Sequence, residues 1–252
     1  MQHKFHTDKI FTGLVYSFVI IVPPYIWLVL SNVMTKSGIQ YCLSDAYCFA
    51  ESFCKFLIVP LAAFVVVHML KYNFRAEYVV RMQSIRKLWL VLCKKVIILA
   101  LLVAIYLLVI VTCIGSIYGQ FNCNWTSKNS SAYAILHVDV TNPPDVWTVM
   151  ITYFLIVFLT VAVMGLIIIL LWWVFDTPLA GYAGMIVFLK LELGMKPSPT
   201  KLFFAKVNMD PTSVYYRGIN YDDMIIYPTL VMLGLIVTGY IFIRKKDFFK
   251  KQ

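Results

Sequence analysis

The chain has 252 residues, of which 61% are hydrophobic and only 13% are charged, and its formal net charge is +10. Because soluble domains carry about 25% charged residues, this composition excludes an ordinary soluble domain. The mean hydropathy of +0.81 agrees with that. No nucleic-acid-binding motif accompanies the positive charge, and apolar runs of about 20 residues recur, each long enough to cross a bilayer. We therefore predict an all-α, polytopic membrane protein with one transmembrane domain, residues 1–252, and no nucleic acid partner.

Six apolar segments are the predicted transmembrane spans. They cover about residues 10–33, 53–70, 91–117, 147–175, 179–193 and 224–243. The first run has no small-residue cleavage site, so we expect it to be retained rather than removed as a signal peptide. Pro23 and Pro24 lie inside this span, and each removes a backbone hydrogen-bond donor, which predicts a kink in the helix.

Three polar loops, residues 34–52, 118–146 and 194–223, fall on the same side of a six-span topology. The first two contain Cys42, Cys48 and Cys123. An oxidising compartment on that side permits a disulfide among these cysteines, and three free thiols are the equal alternative.

A basic segment, residues 71–95, joins the second and third spans. At a helical period its apolar and polar residues fall on opposite faces. The apolar face holds Val79, Met82, Ile85, Leu88 or Trp89, and Leu92, and the polar face holds Glu77, Arg81, Ser84 and Lys87. Glu77 precedes Arg81 by four residues, a spacing that supports a helix. The segment predicts a short amphipathic helix, about residues 75–89, lying along the membrane surface.

The distribution of charge predicts the orientation. With six spans, the side that holds both termini carries fourteen Lys and Arg against four acidic residues, whereas the opposite side carries eight of each. By the positive-inside rule the termini and the basic segment are cytoplasmic, and the three polar loops are external.

The sequence lacks the known catalytic, metal-binding and nucleotide-binding motifs. It contains no HExxH, CxxC, GxSxG or kinase signature, and its four histidines do not cluster in the chain. There is also no GxxxxGK[ST] nucleotide loop. We therefore expect no enzyme activity, no catalytic residue and no metal site in this chain.

Two stretches carry a resemblance to a known family. Residues 77–89 read EYVVRMQSIRKLW and residues 239–249 read GYIFIRKKDFF. Together with six spans and cytoplasmic termini, they resemble the type-2 ABC exporter permease subunits of Gram-positive bacteria, which export peptides or antibiotics. The three polar loops, above all residues 118–146, are longer than that family leads us to expect.

The resemblance implies a permease subunit in the plasma membrane that exports a hydrophobic or amphipathic cargo, such as a peptide, an antibiotic or a lipid-like compound. Antibiotic resistance or bacteriocin immunity is the implied role. Cytoplasmic ATPase subunits would hold the ATP and Mg, a second permease copy or related chain would complete the membrane part, and residues 75–89 would be the coupling helix. The implied ATPase-coupling residues are Arg75, Glu77, Arg81, Ser84, Arg86 and Lys87.

Two alternatives stay open. A basic helix beside a membrane also binds anionic lipid headgroups, at about 1 kcal/mol per Lys or Arg, without any protein partner. The chain is alternatively a non-transport membrane sensor or assembly protein that binds a ligand through its outer loops. The aromatic residues that favour this second function are Trp125, Tyr133, Trp147, Tyr215, Tyr216 and Tyr221.

Overall fold

The computed structural model describes residues 9–70, 84–138, 140, 142–175, 177–194 and 203–242. The helices are α1 (Lys9–Met34), α2 (Leu43–Leu70), α3 (Ile85–Tyr118), α4 (Ser131–Leu136), α5 (Val146–Phe175), α6 (Pro178–Gly194), α7 (Phe203–Lys206), α8 (Pro211–Arg217) and α9 (Tyr227–Phe242), and a π-helical turn, Asp222–Ile226, leads into α9. The described residues contain no β-strand beyond two isolated bridges, so the predicted all-α class is confirmed.

Four helical stretches are long and apolar enough to cross a membrane. Among the described residues these are Val15–Met34, Ile85–Tyr118, Val146–Phe175 and Asp222–Phe242. They are compatible with a multi-pass membrane protein. Helix α2 has 28 residues with an apolar stretch at Val59–Met69, and α6 has 17 residues. The total of six crossings stays a prediction.

Helix α1 continues through Pro23 and Pro24. In a regular helix the N–H of residue 23 would donate to the carbonyl of Val19, four residues earlier, but proline has no N–H. The hydroxyl of Tyr106 on α3 donates to that carbonyl instead, at 2.7 Å. The missing helical bond is thus replaced by a contact between α1 and α3.

Helix α2 begins at Leu43, ten residues before the start predicted at residue 53, so much of the predicted loop 34–52 is helical. The prediction placed Ser44, Asp45 and Glu51 in a polar external loop. All three side chains are buried. Asp45 and Glu51 accept hydrogen bonds from segments far along the chain, which makes their burial possible, and a sequence pattern does not show those partners.

Helix α3 runs unbroken from Ile85 to Tyr118, 34 residues or about 51 Å at 1.5 Å per residue. The third span was predicted to begin at residue 91, after a separate amphipathic helix. Residues 85–89 instead form the first turns of α3, because the buried positions Leu88, Trp89, Leu92 and Val96 keep one helical period across the predicted junction. Residues 75–83 lie outside the described part of the chain.

Helix α5 is the centre of the bundle. It packs against α2, α3, α6 and α9, and every residue from Val161 to Leu166 is buried. A helix that is apolar all round is suited to this central place. The predicted fourth span, residues 147–175, corresponds to α5, Val146–Phe175.

The bundle has two ends that carry polar or aromatic contacts between helices. We call one the Asp45 end: it holds the start of α2, the segment that follows α3, and helices α4 and α8. We call the other the Trp89 end: it holds the start of α3 and the ends of α5 and α9. The predicted site residues that the structure describes lie at these two ends.

Candidate functional site

Trp89 fixes the start of α3 to α9. Its side chain is completely buried, and its indole Nε1 donates a hydrogen bond of 3.0 Å to the carbonyl oxygen of Ile236. The indole ring lies against Gly239: a Cβ at that position would stand 2.0 Å from Trp89 Cζ2. Only glycine fits there without a shift of the ring or of the helix.

Two further aromatic contacts surround this anchor. The rings of Trp89 and Trp173, near the end of α5, meet edge to face with centroids 6.4 Å apart. The guanidinium of Arg86 lies 5.4 Å from the ring centroid of Tyr240 on α9, within cation–π range. The first turns of α3 therefore contact the ends of both α5 and α9.

The predicted coupling residues divide between the described and undescribed parts of the chain. Arg75, Glu77 and Arg81 lie outside the described residues. Ser84 and Arg86 are half-buried, and Lys87 is exposed. Lys94 is also exposed, and a spacing of seven residues places it on the same face of α3 as Lys87. This gives α3 a short exposed basic face close to the Trp89 anchor, and the coupling role of these residues stays a prediction.

The Asp45 end is organised around one buried carboxylate. Asp45 Oδ1 accepts hydrogen bonds of 2.7 Å from the indole Nε1 of Trp125 and of 2.7 Å from the hydroxyl of Tyr215. Asp45 Oδ2 accepts one of 2.9 Å from the backbone N–H of Cys42. A buried polar group is costly unless it is hydrogen-bonded, and these donors meet that requirement. We call Asp45, Trp125, Tyr215 and Cys42 the Asp45 cluster.

Aromatic packing and a second hydroxyl complete this cluster. The rings of Trp125 and Tyr215 meet edge to face at 4.8 Å, and the hydroxyls of Tyr215 and Ser131 are 3.1 Å apart. Burial, and then the negative charge of Asp45, raise the pKa of Tyr215 well above its ordinary value. Tyr215 therefore stays a neutral donor to Asp45. Trp125 and Tyr215 were identified from the sequence as loop aromatics, but Asp45 was missed, since its only local signal is its place in the first turn of α2.

A second buried carboxylate ties the segment before α8 to α2. Glu51 is 2% exposed, and its Oε2 accepts a hydrogen bond of 3.0 Å from the backbone N–H of Met209. The described residues 203–223 are thus held to the bundle at this point, and the short helices α7 and α8 lie among them.

The three cysteines named as disulfide candidates are free thiols in the structure, and they differ in surroundings. Cys42 and Cys48 are buried, and Cys123 is half-buried. The thiols of Cys42 and Cys123 interact with each other; this interaction, ahead of burial, raises the pKa of Cys42 and is the main cause of a lowered pKa for Cys123. The structure thus brings two of the three cysteines together.

Two cavities in the described part of the chain have different linings. An apolar groove of about 190 Å³ lies between α1, α2 and α3 and is lined by residues that include Phe18, Val65 and Tyr106. A cavity of about 290 Å³ with a mixed lining lies at the Asp45 end, between the segment that follows α4 and the end of α8, and includes Tyr216 and Arg217. In the described part of the chain no group of three or more His, Cys, Asp or Glu side chains is placed to hold a metal ion.

Comparison of the chain with family models, with curated proteins and with solved structures gave no match.

Proposed function

We propose that the chain is the membrane subunit of an ATP-driven exporter of the ABC type. In this proposal α2 and α6 are crossings as well, which gives six, and the Trp89 end faces the cytoplasm. The excess of Lys and Arg on the side of the termini supports that orientation. ATP and Mg bind to separate ATPase subunits, and a second permease completes the membrane part.

The observation that carries the proposal is the anchoring of the start of α3. A coupling segment must transmit a displacement from the membrane surface to the transmembrane helices. Local bending of the chain must not absorb that displacement. Arg86 and Trp89 belong to the last part of the predicted coupling segment, residues 75–89, and they contact α9 and the end of α5. Because packed interfaces do not deform continuously, a push on this segment moves α3, α5 and α9 together.

The cargo in this proposal is hydrophobic or amphipathic. The four membrane-crossing stretches are strongly apolar, and the groove between α1, α2 and α3 has an almost entirely apolar lining. A desolvated ion would gain little there, because burial of an unpaired charge is costly. A peptide with apolar side chains or a lipid-like antibiotic matches this lining.

Co-purification from native membranes tests the proposal. Tagged wild-type chain is expected to bring down an ATPase subunit, and Lys87→Glu, which reverses an exposed charge beside the anchor, is expected to reduce recovery of that subunit by about tenfold, which corresponds to 1.4 kcal/mol. Lys128→Glu is the matched control, because Lys128 is exposed in the loop at the opposite end of the bundle. Absence of an ATPase from the wild-type sample would refute the proposal.

One observation favours a second function, a membrane sensor or assembly protein. The mixed cavity at the Asp45 end combines the aromatic ring of Tyr216 with the guanidinium of Arg217, which suits an amphipathic ligand with a negative charge. This function needs no ATPase. The two functions therefore give opposite results in the co-purification.

A further inference from the structure

The backbone on either side of Cys42 is paired with the segment that follows α3. The N–H of Leu43 donates to the carbonyl of Gln120 at 2.9 Å, and the N–H of Gln120 donates to the carbonyl of Tyr41 at 3.3 Å. Cys42 and Gln120 thus form an isolated parallel bridge. Gly119 permits this approach, because a Cβ there would lie 2.7 Å from the carbonyl carbon of Cys42.

A side-chain contact extends this pairing past Cys123. The amide Nδ2 of Asn124 donates to the carbonyl of Gln40 at 2.9 Å. Residues 40–43 and 120–124 are therefore held together on both sides of the two cysteines. The position of the Cys42 and Cys123 thiols against each other follows from this backbone pairing.

We propose that Cys42 and Cys123 form a disulfide in the mature protein and that Cys48 stays a thiol. The proposal rests on the proposed function only in placing the Asp45 end on the outer, oxidising side of the membrane. Cys48 lies on α2 six residues, or about 1.7 turns, after Cys42, which immediately precedes the helix. It therefore faces a different side, since only residues three or four apart are neighbours on a helix surface.

The chemistry needs a donor disulfide, which extracytoplasmic thiol oxidases supply. The half-buried Cys123 thiolate attacks one donor sulfur, which forms a mixed disulfide and releases the other donor sulfur as a thiolate. Cys42 then loses its proton and attacks Cys123 Sγ, which releases the second donor sulfur. The two cysteines give up two electrons and two protons, and the donor disulfide becomes two thiols. Asp45 Oδ2, 3.4 Å from Cys42 Sγ, is placed to accept the proton of Cys42.

The roles of the two cysteines follow from their surroundings. Cys123 is accessible to an oxidant, and its lowered pKa favours the attacking thiolate. Cys42 is completely buried within the Asp45 cluster and serves as the resolving thiol. The resulting bond would link the start of α2 to the segment after α3 and hold Trp125 over Asp45.

Differential alkylation of the full chain in native membranes tests the proposal. Free thiols are blocked with N-ethylmaleimide under acid quench, disulfides are then reduced, and the released thiols receive a maleimide mass tag. We expect two tags out of six cysteines in the wild-type chain. Cys42→Ala and Cys123→Ala are each expected to lose both tags, and Cys48→Ala is expected to retain both. No tag in the wild type, or loss of the tags in Cys48→Ala, would overturn the proposal.

A measurement on the wild-type chain avoids dependence on the folding of the variants. Chymotryptic cleavage after Tyr47 separates Cys42 from Cys48, and cleavage after Phe121 separates Cys123 from Cys113. Mass spectrometry without reduction is expected to find the Cys42 and Cys123 peptides joined. Recovery of the two peptides only as separate alkylated species would overturn the proposal.

An impermeant maleimide, applied to intact cells after mild reduction, separates the failure of this proposal from the failure of the proposed function. Labelling of Cys123 from outside supports the outward orientation of the Asp45 end. If Cys123 is labelled from outside but mass spectrometry finds the wild-type Cys42 and Cys123 peptides separate, the disulfide is refuted and the orientation is not. Labelling only after the cells are permeabilised refutes the orientation and the disulfide together.

Discussion

The ring of Trp89 occupies the volume that a side chain at position 239 would fill. The three ring atoms nearest to a Cβ built on Gly239 lie 2.0 to 2.6 Å away, and the same indole donates to the carbonyl of Ile236 one turn earlier on α9. A steric fit and a hydrogen bond thus set both the distance and the rotation of α9 relative to α3.

Gly239→Ala is expected to destabilise the protein. The added methyl overlaps Trp89, and overpacking of this kind costs about 1–3 kcal/mol. The check is the apparent unfolding temperature in detergent, measured by the loss of the monodisperse peak after heating. Gly234→Ala is the matched control: it lies on the same helix, gains the same helix propensity, and a Cβ there meets nothing within 4 Å. Equal unfolding temperatures for the two variants would contradict the prediction.

A double-mutant cycle tests whether Trp89 itself is the obstacle. Trp89→Leu lowers stability because the hydrogen bond and much buried area are lost. In that background Gly239→Ala is expected to cost less, by about 1 kcal/mol or more, since residues in contact are not additive. Additive effects would show that the methyl group at position 239 meets another part of the structure.

The sequence predicted the elements whose signal is local. Helix α5 was placed to within one residue of its start, because residues 146–175 contain no charge, no proline and one glycine. The start of α2 was missed for the opposite reason. Asp45 is polar in the sequence, and the donors that permit its burial, Trp125 and Tyr215, lie 80 and 170 positions away.

The contacts at the Trp89 end show the same limit. Trp89 and Gly239 were each part of a quoted stretch, but the hydrogen bond from Trp89 to α9 spans 147 positions, and a single sequence contains no signal for that pairing. Periodicity grouped Trp89 with Leu88 and Leu92 on the apolar face of a surface helix. All three are buried inside the bundle as part of α3, because the helix continues without a break into the span.

Asp45→Asn is expected to destabilise the Asp45 end. Both carboxylate oxygens of Asp45 accept hydrogen bonds. Asparagine replaces one of these oxygens with an NH₂ group, so in either orientation of the amide a donor faces a donor. A buried donor left without an acceptor costs on the order of 1–3 kcal/mol. Asp145→Asn removes the same charge from an exposed position just before α5 and serves as the control. A similar fall in unfolding temperature for both variants would assign the effect to net charge.

The reactivity of Cys123 in the reduced protein is expected to depend on Cys42. The interaction with the Cys42 thiol is the largest cause that lowers the pKa of Cys123 below the ordinary 9.0. Cys42→Ala removes this interaction, so the pKa of Cys123 rises and the pH midpoint of its alkylation by iodoacetamide moves upward. Above both midpoints the variant and the wild type should react at similar rates.

The alkylation of Cys123 is followed by mass spectrometry of its peptide across the pH range. Cys48→Ala is the control, because Cys48 is not among the groups that lower the pKa of Cys123. An unchanged midpoint in Cys42→Ala, or an equal shift in Cys48→Ala, would contradict the role of Cys42.

Tyr106→Phe is expected to weaken the contact between α1 and α3. Pro23 deprives the carbonyl of Val19 of its helical donor, and the Tyr106 hydroxyl takes that place at 2.7 Å. In an apolar surrounding, a carbonyl that loses its partner costs about 1–3 kcal/mol. Tyr16→Phe, at an exposed position on α1, removes a hydroxyl without this contact and is expected to leave the unfolding temperature unchanged.

Pro23→Ala supplies the decisive comparison for Tyr106. Alanine restores an N–H that donates to the Val19 carbonyl along the helix, so the hydroxyl of Tyr106 is no longer its required donor. In the Pro23→Ala background, Tyr106→Phe should therefore cost much less than in the wild-type chain. An equal cost in both backgrounds would mean that the Tyr106 hydroxyl stabilises the bundle for a reason unrelated to the proline, and that α1 tolerates Pro23 without a donor from α3.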